Sequence, residues 1–556
     1  MRRALSADYT LPETKRMRSD SDKAKLYDRQ LRLWQESGQT ALEGARVCVF
    51  GSTALAAETL KNLVLPGIGE FVVVDDGVVG EQDTLTNFFV QTDDQGKMRA
   101  ECIVQGLCEL NPDVRGSAVT RSPAELLASS DPADIQLVAS ATLVLACGQS
   151  ESVVCALSRR CWQAHVPLVA ADYAGFYARV RTSIPEHAVV ESHADTPSDL
   201  RLLTPFPVLR NYIDEIDLDV LDSTDLAHVP YPLIVAKALK ALSLDGDAAA
   251  PTIQQKRELR DLIGTMAPVP GEENFVQAVD AVTQHCKPYS TPAAVDEILN
   301  DPAAVAPLTD DTKVDHFWLL VSALRAYMLS DYSLGMLPLN GSIPDMKADT
   351  KGYIALQRIY KQKAAEDAAQ FATHVARELI DAGLPADYIS SDEVAVFCRN
   401  ASNLRLLRFT SLHDEIEGDS LCATAENLVA ADVASHYALF RASARFEAAH
   451  GRHPGVSASP NDAEMLDDEL VTSDTVKLIG IANSLLAEWG LESTTVDENL
   501  AMEFARSGHC ELHNISSMTG GIVSQEAIKL ITHQYVPENS LCIVDGVKAK
   551  SYVAKI

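Results

Sequence analysis

The chain has 556 residues, enough for roughly three to four domains of ordinary size. With 47 Lys and Arg against 78 Asp and Glu, its formal net charge is −31; this opposes attraction to phosphate backbones and anionic lipid, and excludes nucleic acid and membranes as expected partners. A hydrophobic content of 47% and a charged content of 22% fit a folded globular protein, not a disordered or fibrous one.

Residues 1–24 mix basic, acidic and small polar side chains without periodicity and read as a mobile tail. Its run Lys15-Arg16-Met17-Arg18 has the form of a short localisation signal or of a bland charged tail. No apolar leader region stands at the start and no stretch approaches the ~18 consecutive apolar residues of a spanning helix, so the expected location is cytoplasm and nucleus. The 11 cysteines are scattered, with no C-x-x-C pair, which predicts reduced and mostly buried thiols and no metal site.

From Leu26 the segment YDRQLRLW sets Leu31 and Trp34 on one face of an amphipathic helix. The apolar β-branched run RVCVF follows, ending at Gly51, then a helical pattern through Leu55, Thr59, Leu60 and Leu63, stopped by Pro66-Gly67. FVVVDD is the next buried strand, and strand, glycine, helix, strand with acidic residues at the end is a βαβ unit of Rossmann type. A helix from about Lys97 to Leu110, a weak strand at SAVT, and strands in DIQLVASATLVLACG and VPLVAADYAGFYARVRTSI continue the α/β alternation. Beyond about residue 200 the pattern turns helical, as in AAQFATHVARELIDAG, where Phe371, Val375 and Leu379 share a face and Gly383 caps the end. Residues 461–469 read as an acidic linker. HNISSMTGGIVSQEAIKLIT predicts a Gly-Gly turn entering a helix, and SLCIVDG and KSYVAKI two closing strands.

The turn after the first strand reads Gly51-Ser52-Thr53-Ala54-Leu55-Ala56. Only the first glycine of G-x-G-x-x-G is present, and Thr53 and Ala56 bring Cβ atoms where a backbone must approach phosphate. The spacing alone leaves open a degenerate nucleotide site and a turn that merely maintains the fold.

Together, YDRQLRLW, LKNLVLPGIG, NFFVQ, GKMRAE, GSIPDMKADTKGYIALQRIYKQKAAEDAA, GRHPGV and GGIVSQEAIKLIT resemble the regulatory, non-catalytic subunits of neddylation activating enzymes, within the ubiquitin-like activators and their ThiF and MoeB relatives. The resemblance runs from about Lys25 to Ile556, and the segment around IPDMKAD is its more specific part. It implies an α/β fold: a Rossmann-like, ThiF-type adenylation domain over 25–195 and 506–556, interrupted at 196–505 by a large all-α insertion resembling a catalytic-cysteine domain. It also implies a heterodimer with a catalytic subunit that holds ATP and Mg²⁺, a ubiquitin-like modifier as the protein acted upon, and a conjugating enzyme met transiently. This chain would bind no cofactor tightly and would be non-catalytic on its own. The corresponding SUMO-activating subunit, with a shorter insertion, and an autonomous Rossmann enzyme are the alternatives.

The resemblance also assigns site residues. Of the family's Asn-Arg-Gln phosphate clamp only Asn87 stands, because Phe88 and Phe89 follow it; Lys97 is kept; and the strand LVLAC ends in Gly148-Gln149-Ser150, without the carboxylate that would hold Mg²⁺. Gly51, Asp75, Asn87 and Lys97 are therefore the remnants of a nucleotide site, with Asp75 and Asp76 placed to hold a ribose or to be solvated strand-end residues. Cys286, Cys398 and Cys422 lie in the insertion, but none precedes a threonine as the family's thioester cysteine does, so all three are expected to be structural. Arg29 is the positive candidate: the resemblance implies that it reaches the partner's ATP site, while a surface arginine paired with Asp28 or Glu36 is the plainer reading.

Overall fold

A computed structural model describes residues 23–556 except 24, 195, 246–250, 306–314, 419, 458–467 and 509. The expected tail and most of the expected acidic linker lie outside the described residues. Contacts divide the chain into two units, one formed by the residues up to His187 together with Leu407–Ile556, the other by Ala188–Leu406.

The first unit is built on one eight-stranded sheet. Its strands are β1 (Arg46–Phe50), β2 (Glu70–Val74), β3 (Arg115–Val119), β4 (Leu143–Cys147), β5 (Leu168–Ala174) and β6 (Tyr177–Ser183), and then, after a separate two-stranded pairing of β7 (His187–Val189) with β8 (Arg405–Leu407), β9 (Leu541–Asp545) and β10 (Lys550–Ala554). The order is β10-β9-β6-β5-β4-β1-β2-β3. Neighbours from β3 to β5 pair in parallel, and β6, β9 and β10 are antiparallel additions. Central strands such as β4 are buried along their whole length, as a parallel sheet covered on both faces requires.

The sequence reading differs from the structure at three places. DIQLVASATLVLACG holds only one strand, because Pro132–Ala139 is a helix: Asp131 accepts a hydrogen bond from Ala133 N and Pro132 occupies the first turn, so the chain is committed to a helix before the apolar run begins. The expected insertion 196–505 also divides. The helices Ala434–His450, Asp468–Glu488 and Glu498–Ser507 belong to the sheet's unit, where Tyr437, Phe440, Leu478 and Phe504 share a core with Tyr177, Leu541 and Ile543. Asp468–Glu488 is apolar enough to cross a membrane by composition alone, but here it lies between two other helices and buries Leu478, Ala482 and Leu485. The motif GRHPGV follows Ala434–His450: Arg452 grips Asp474 with both guanidinium nitrogens, and together with Lys477 and the Gly455 N–H it overcomes the burial that would raise this carboxyl, holding it at about 2.

The third difference concerns Gly520-Gly521, which form no turn. They lie inside one continuous helix, α14 (His513–Thr532), the last of the helices labelled here. Earlier helices in this unit include α1 (Asp28–Gly44), α2 (Ala54–Val64), α3 (Arg99–Leu110) and α4 (Glu151–Ala164). At Gly520 α14 crosses α2 so closely that a Cβ would stand 3.0 Å from Glu58 Cβ and 3.0 Å from Thr59 N. Around that crossing Leu55, Leu60 and Leu63 of α2 pack with Val523, Ala527 and Ile531 of α14.

The second unit is helical: α5 (Tyr231–Ala241), α6 (Ile253–Met266), α7 (Glu273–His285), α8 (His316–Met328), α9 (Thr350–Asp381) and α10 (Ser391–Asn400). To complete the chain order, α11 is Ala434–His450, α12 Asp468–Glu488 and α13 Glu498–Ser507. The IPDMKAD segment leads directly into α9, whose first turn is capped by the Asp349 carboxylate on Gly352 N. Over its 32 residues α9 puts Leu356 and Tyr360 into one core with α5, α6 and α7, and Phe371, Val375 and Leu379 into a second with α8 and α10. The predicted face and the Gly383 terminator, at φ +68°, are as expected.

The close crossing at Gly520 predicts opposite effects for neighbouring glycines. Gly520→Leu should cost about 1–3 kcal/mol in denaturant unfolding, because the added atoms must displace α2. Gly521→Ala, with nothing within 4 Å of the new carbon, should stabilise the helix by up to about 1 kcal/mol.

A nucleotide-type turn filled by the protein's own side chains

The β1–α2 turn stands at the carboxyl end of β1, where parallel α/β sheets place their ligands. Gly51 has φ +101°, and a Cβ there would meet Cys147 O at 2.3 Å, so this one glycine is required by both conformation and space. Thr53 instead takes an ordinary extended conformation and caps α2, its hydroxyl accepting from Ala56 N at 3.3 Å.

Three further N–H groups of the turn are also occupied. Ser52 N donates to Asp75 Oδ2 at 2.9 Å, while Ala54 N and Leu55 N donate to the two carboxylate oxygens of Glu511 at 2.8 and 2.7 Å. Ser516 Oγ donates to the same carboxylate. Burial raises the Glu511 carboxyl, even though the two backbone N–H groups and Ser516 favour its charged form. A carboxylate thus sits where the dipole and free donors of a helix N-terminus would attract a phosphate.

Asp75, read from sequence as either a ribose ligand or a solvated strand-end residue, is the centre of an ion cluster. Its oxygens accept from Ser52 N, from Ser52 Oγ in a short contact, from Gly77 N at 2.9 Å and from Arg99 Nη2 at 3.1 Å. Arg99 also reaches Asp83 at 2.9 Å and Ser52 Oγ at 2.9 Å. Burial alone would raise the Asp75 carboxyl; the Ser52 hydrogen bond and the Arg99 charge outweigh it and hold the group below its usual range. Asp76 is exposed.

The other sequence candidates do not join this cluster through any hydrogen bond or ion pair. The Lys97 amine is exposed and pairs with Asp94 at 2.8 Å. Asn87 is buried, ends the short helix Glu81–Thr86, and accepts from Phe89 N, with its amide nitrogen left without a hydrogen-bond partner. Phe89, at the clamp's third position, has become a core residue against Gly106, and Phe88 is 72% exposed. Gln149, where the metal carboxylate was expected, folds back so that its amide nitrogen donates to Cys147 O and covers Gly51. Among the described residues no cluster of three or more His, Cys, Asp or Glu is arranged to hold a metal. The residues present do not fit a nucleoside triphosphate with its magnesium.

The cysteines of the former insertion offer no activated thiol in the buried sites: desolvation pushes Cys286 to about 11 and Cys398 to about 12. Cys422 is exposed and donates to Glu488 O.

Arg29 has a different setting. The segment that carries it is anchored on both sides, by Tyr27, whose hydroxyl accepts from Asn111 Nδ2 at 3.0 Å, and by Trp34, whose carbonyl accepts from Gln534 Nε2 at 2.8 Å. Between these buried aromatics Arg29 is exposed and makes no hydrogen bond or ion pair among the described residues, since Asp28 is taken by Arg32 at 3.1 Å. Gln35 breaks the helix with φ 59°, directing the chain toward Gly38, which packs on Trp34 and Gln534.

The ThiF family matches residues 27–555. Regulatory subunits of NEDD8-activating enzyme E1 from Xenopus laevis and Gallus gallus are each 38% identical, over 94% and 95% of this chain and 97% of each relative. The Drosophila melanogaster subunit is 35% identical over 96% of this chain and 98% of its own length. The chain belongs to the ThiF family and, within it, to the NEDD8-activating enzyme E1 regulatory subunits. The regulatory role agrees with a turn whose donors are already used.

Sequence reading missed Arg99 and Glu511. Arg99 carried a signal, since a cation in the first turn of a helix opposes the helix dipole unless carboxylates hold it. Glu511 carried none, because the turn N–H groups it binds are more than 450 positions away. Arg99→Ala should cost about 3 kcal/mol by leaving Asp75 and Asp83 facing each other without the cation. Because the folded Asp75 carboxyl lies below its unfolded value, its contribution is present above ordinary carboxylate pH and is lost as pH falls through the depressed value. Unfolding curves should therefore show a smaller acid-side loss in Arg99→Ala than in the wild type.

Proposed function

We propose that this chain is the non-catalytic half of a NEDD8-activating heterodimer, working in cytoplasm and nucleus. Its catalytic partner holds ATP and Mg²⁺, adenylates the ubiquitin-like modifier and takes it onto a cysteine, and a conjugating enzyme then meets the pair transiently. The chain itself binds no nucleotide tightly. The observation that carries this reading is the β1–α2 turn, four of whose N–H groups are spent on Asp75, Glu511 and Thr53 in a chain of this family. A turn so filled also argues against an autonomous Rossmann enzyme.

In this reading Arg29 contributes to catalysis in trans. It lies exposed and, among the described residues, unpaired on a segment fixed by Tyr27 and Trp34, so its planar, permanently charged fork can be offered to phosphate. At the partner's site it would offset charge that develops as the adenylate forms.

Modifier-dependent ATP:pyrophosphate exchange tests both points. Activity should require the pair, with the chain alone inactive; exchange by the chain alone would refute the reading. In the assembled pair Arg29→Ala should slow exchange about 100-fold, the scale of losing one preorganised charge donor, while co-elution of the two subunits is unchanged. Wild-type exchange rates in that variant would remove Arg29 from the mechanism.

A further inference from the structure

The loss of glycines, clamp and metal ligand explains poor nucleotide binding by omission. The geometry at α2 points to something added. We propose that Glu511 is an internal substitute for a phosphate, and that this side chain is the specificity-determining residue keeping nucleotide and free phosphate off the turn. The inference rests on the reading of this chain as the nucleotide-free subunit and deepens it.

Three observations carry the assignment. The carboxylate engages two successive backbone N–H groups of a helix first turn, one oxygen on each, which is how such a turn holds a phosphate. It is delivered by the C-terminal part of the chain just before α14: Ser516 Oγ donates to the carboxylate, and the backbone that carries it is fixed by a β-bridge between Glu511 and Gly175, with Gly175 N donating to Cys510 O at 3.2 Å. Finally, it is half-buried, and a carboxylate partly withdrawn from water persists only where donors replace the water it has lost. A surface glutamate that capped the helix merely by proximity would need none of this support.

The substitution has a structural benefit as well. The N–H groups of a helix start must find acceptors, and in a subunit without ligand they would otherwise be left to water. Glu511 satisfies them and at the same time ties α14 to α2, next to the close crossing at Gly520.

The test compares the full-length wild type, Glu511→Ala and Glu511→Gln for binding of inorganic phosphate, pyrophosphate and ATP by titration calorimetry, with circular dichroism as the check on folding. Wild type should bind none of the three at millimolar concentration. Glu511→Ala, which vacates the donors, should bind phosphate and pyrophosphate at least about tenfold more tightly than wild type, the scale of a charge at a helix N-terminus. Glu511→Gln should show a smaller gain, because the neutral side chain still fills the space but can be displaced; if the alanine variant does not fold, this variant carries the comparison. A folded variant with no gain in anion affinity would overturn the role of Glu511 while leaving the subunit assignment intact. Tight ATP binding by the wild type would instead overturn the nucleotide-free reading on which the inference rests.

Discussion

The N-terminus of α2 is the constraint on which this molecule turns. A helix that begins at the end of a central parallel strand presents several unpaired N–H groups and the positive end of its dipole to one small volume. Nucleotide-binding relatives of such folds meet that requirement with a ligand. Here it is met by Glu511, Thr53 and Asp75, two of them acidic, and Asp75 is in turn neutralised by Arg99. The fold has kept the geometry of a phosphate site and supplied the anion from its own C-terminal segment. The same event fastens the two ends of the sheet unit together, since α2 and α14 belong to opposite ends of the sequence.

Most of the sheet unit was legible from residue pattern. Apolar β-branched runs marked β1, β2, β5 and β9, because strands buried along most of their length leave no polar alternation to confuse them with surface segments. Where the pattern misled, a local polar group or a distant packing partner decided. Asp131 and Pro132 convert half of an apolar run into a helix, and Gly520-Gly521 reads as a turn because the sequence does not reveal that α2 presses against that face. The boundary at 505 was illegible for a similar reason: helices on either side of residue 407 have the same amphipathic character, and only the partner core, with Tyr177 and Ile543 on one side and Tyr360 or Phe371 on the other, distinguishes them. Within the site, sequence identified which groups were missing, while the groups that replaced them lay on other elements.

A chain with a net charge of −31 must manage its acidic groups, and several of the buried ones here are gripped by arginine. Arg99 holds Asp75 and Asp83, Arg452 holds Asp474, and Arg181 holds Glu415, each through guanidinium nitrogens at hydrogen-bonding distance. The planar fork satisfies several lone pairs at once, which an ammonium cannot do with the same directionality. Breaking such a pair strands a charge in a low-dielectric setting, so these positions constrain the fold more than their individual net contributions to stability suggest.

The long helix α9 contributes to two cores in succession, with Tyr360 at one end of the arrangement and Phe371 at the other, and with Asp367 buried between them accepting from Tyr332 and from Leu339 N. At 32 residues it runs about 48 Å without interruption. A helix shared in this way merges what would be two small domains into one cooperative body: neither core can open without fraying the backbone on which the other is assembled. Amide exchange along α9 would then report a common opening free energy on both sides of Asp367, and the helical unit would unfold as a single step although it contains two separate hydrophobic centres.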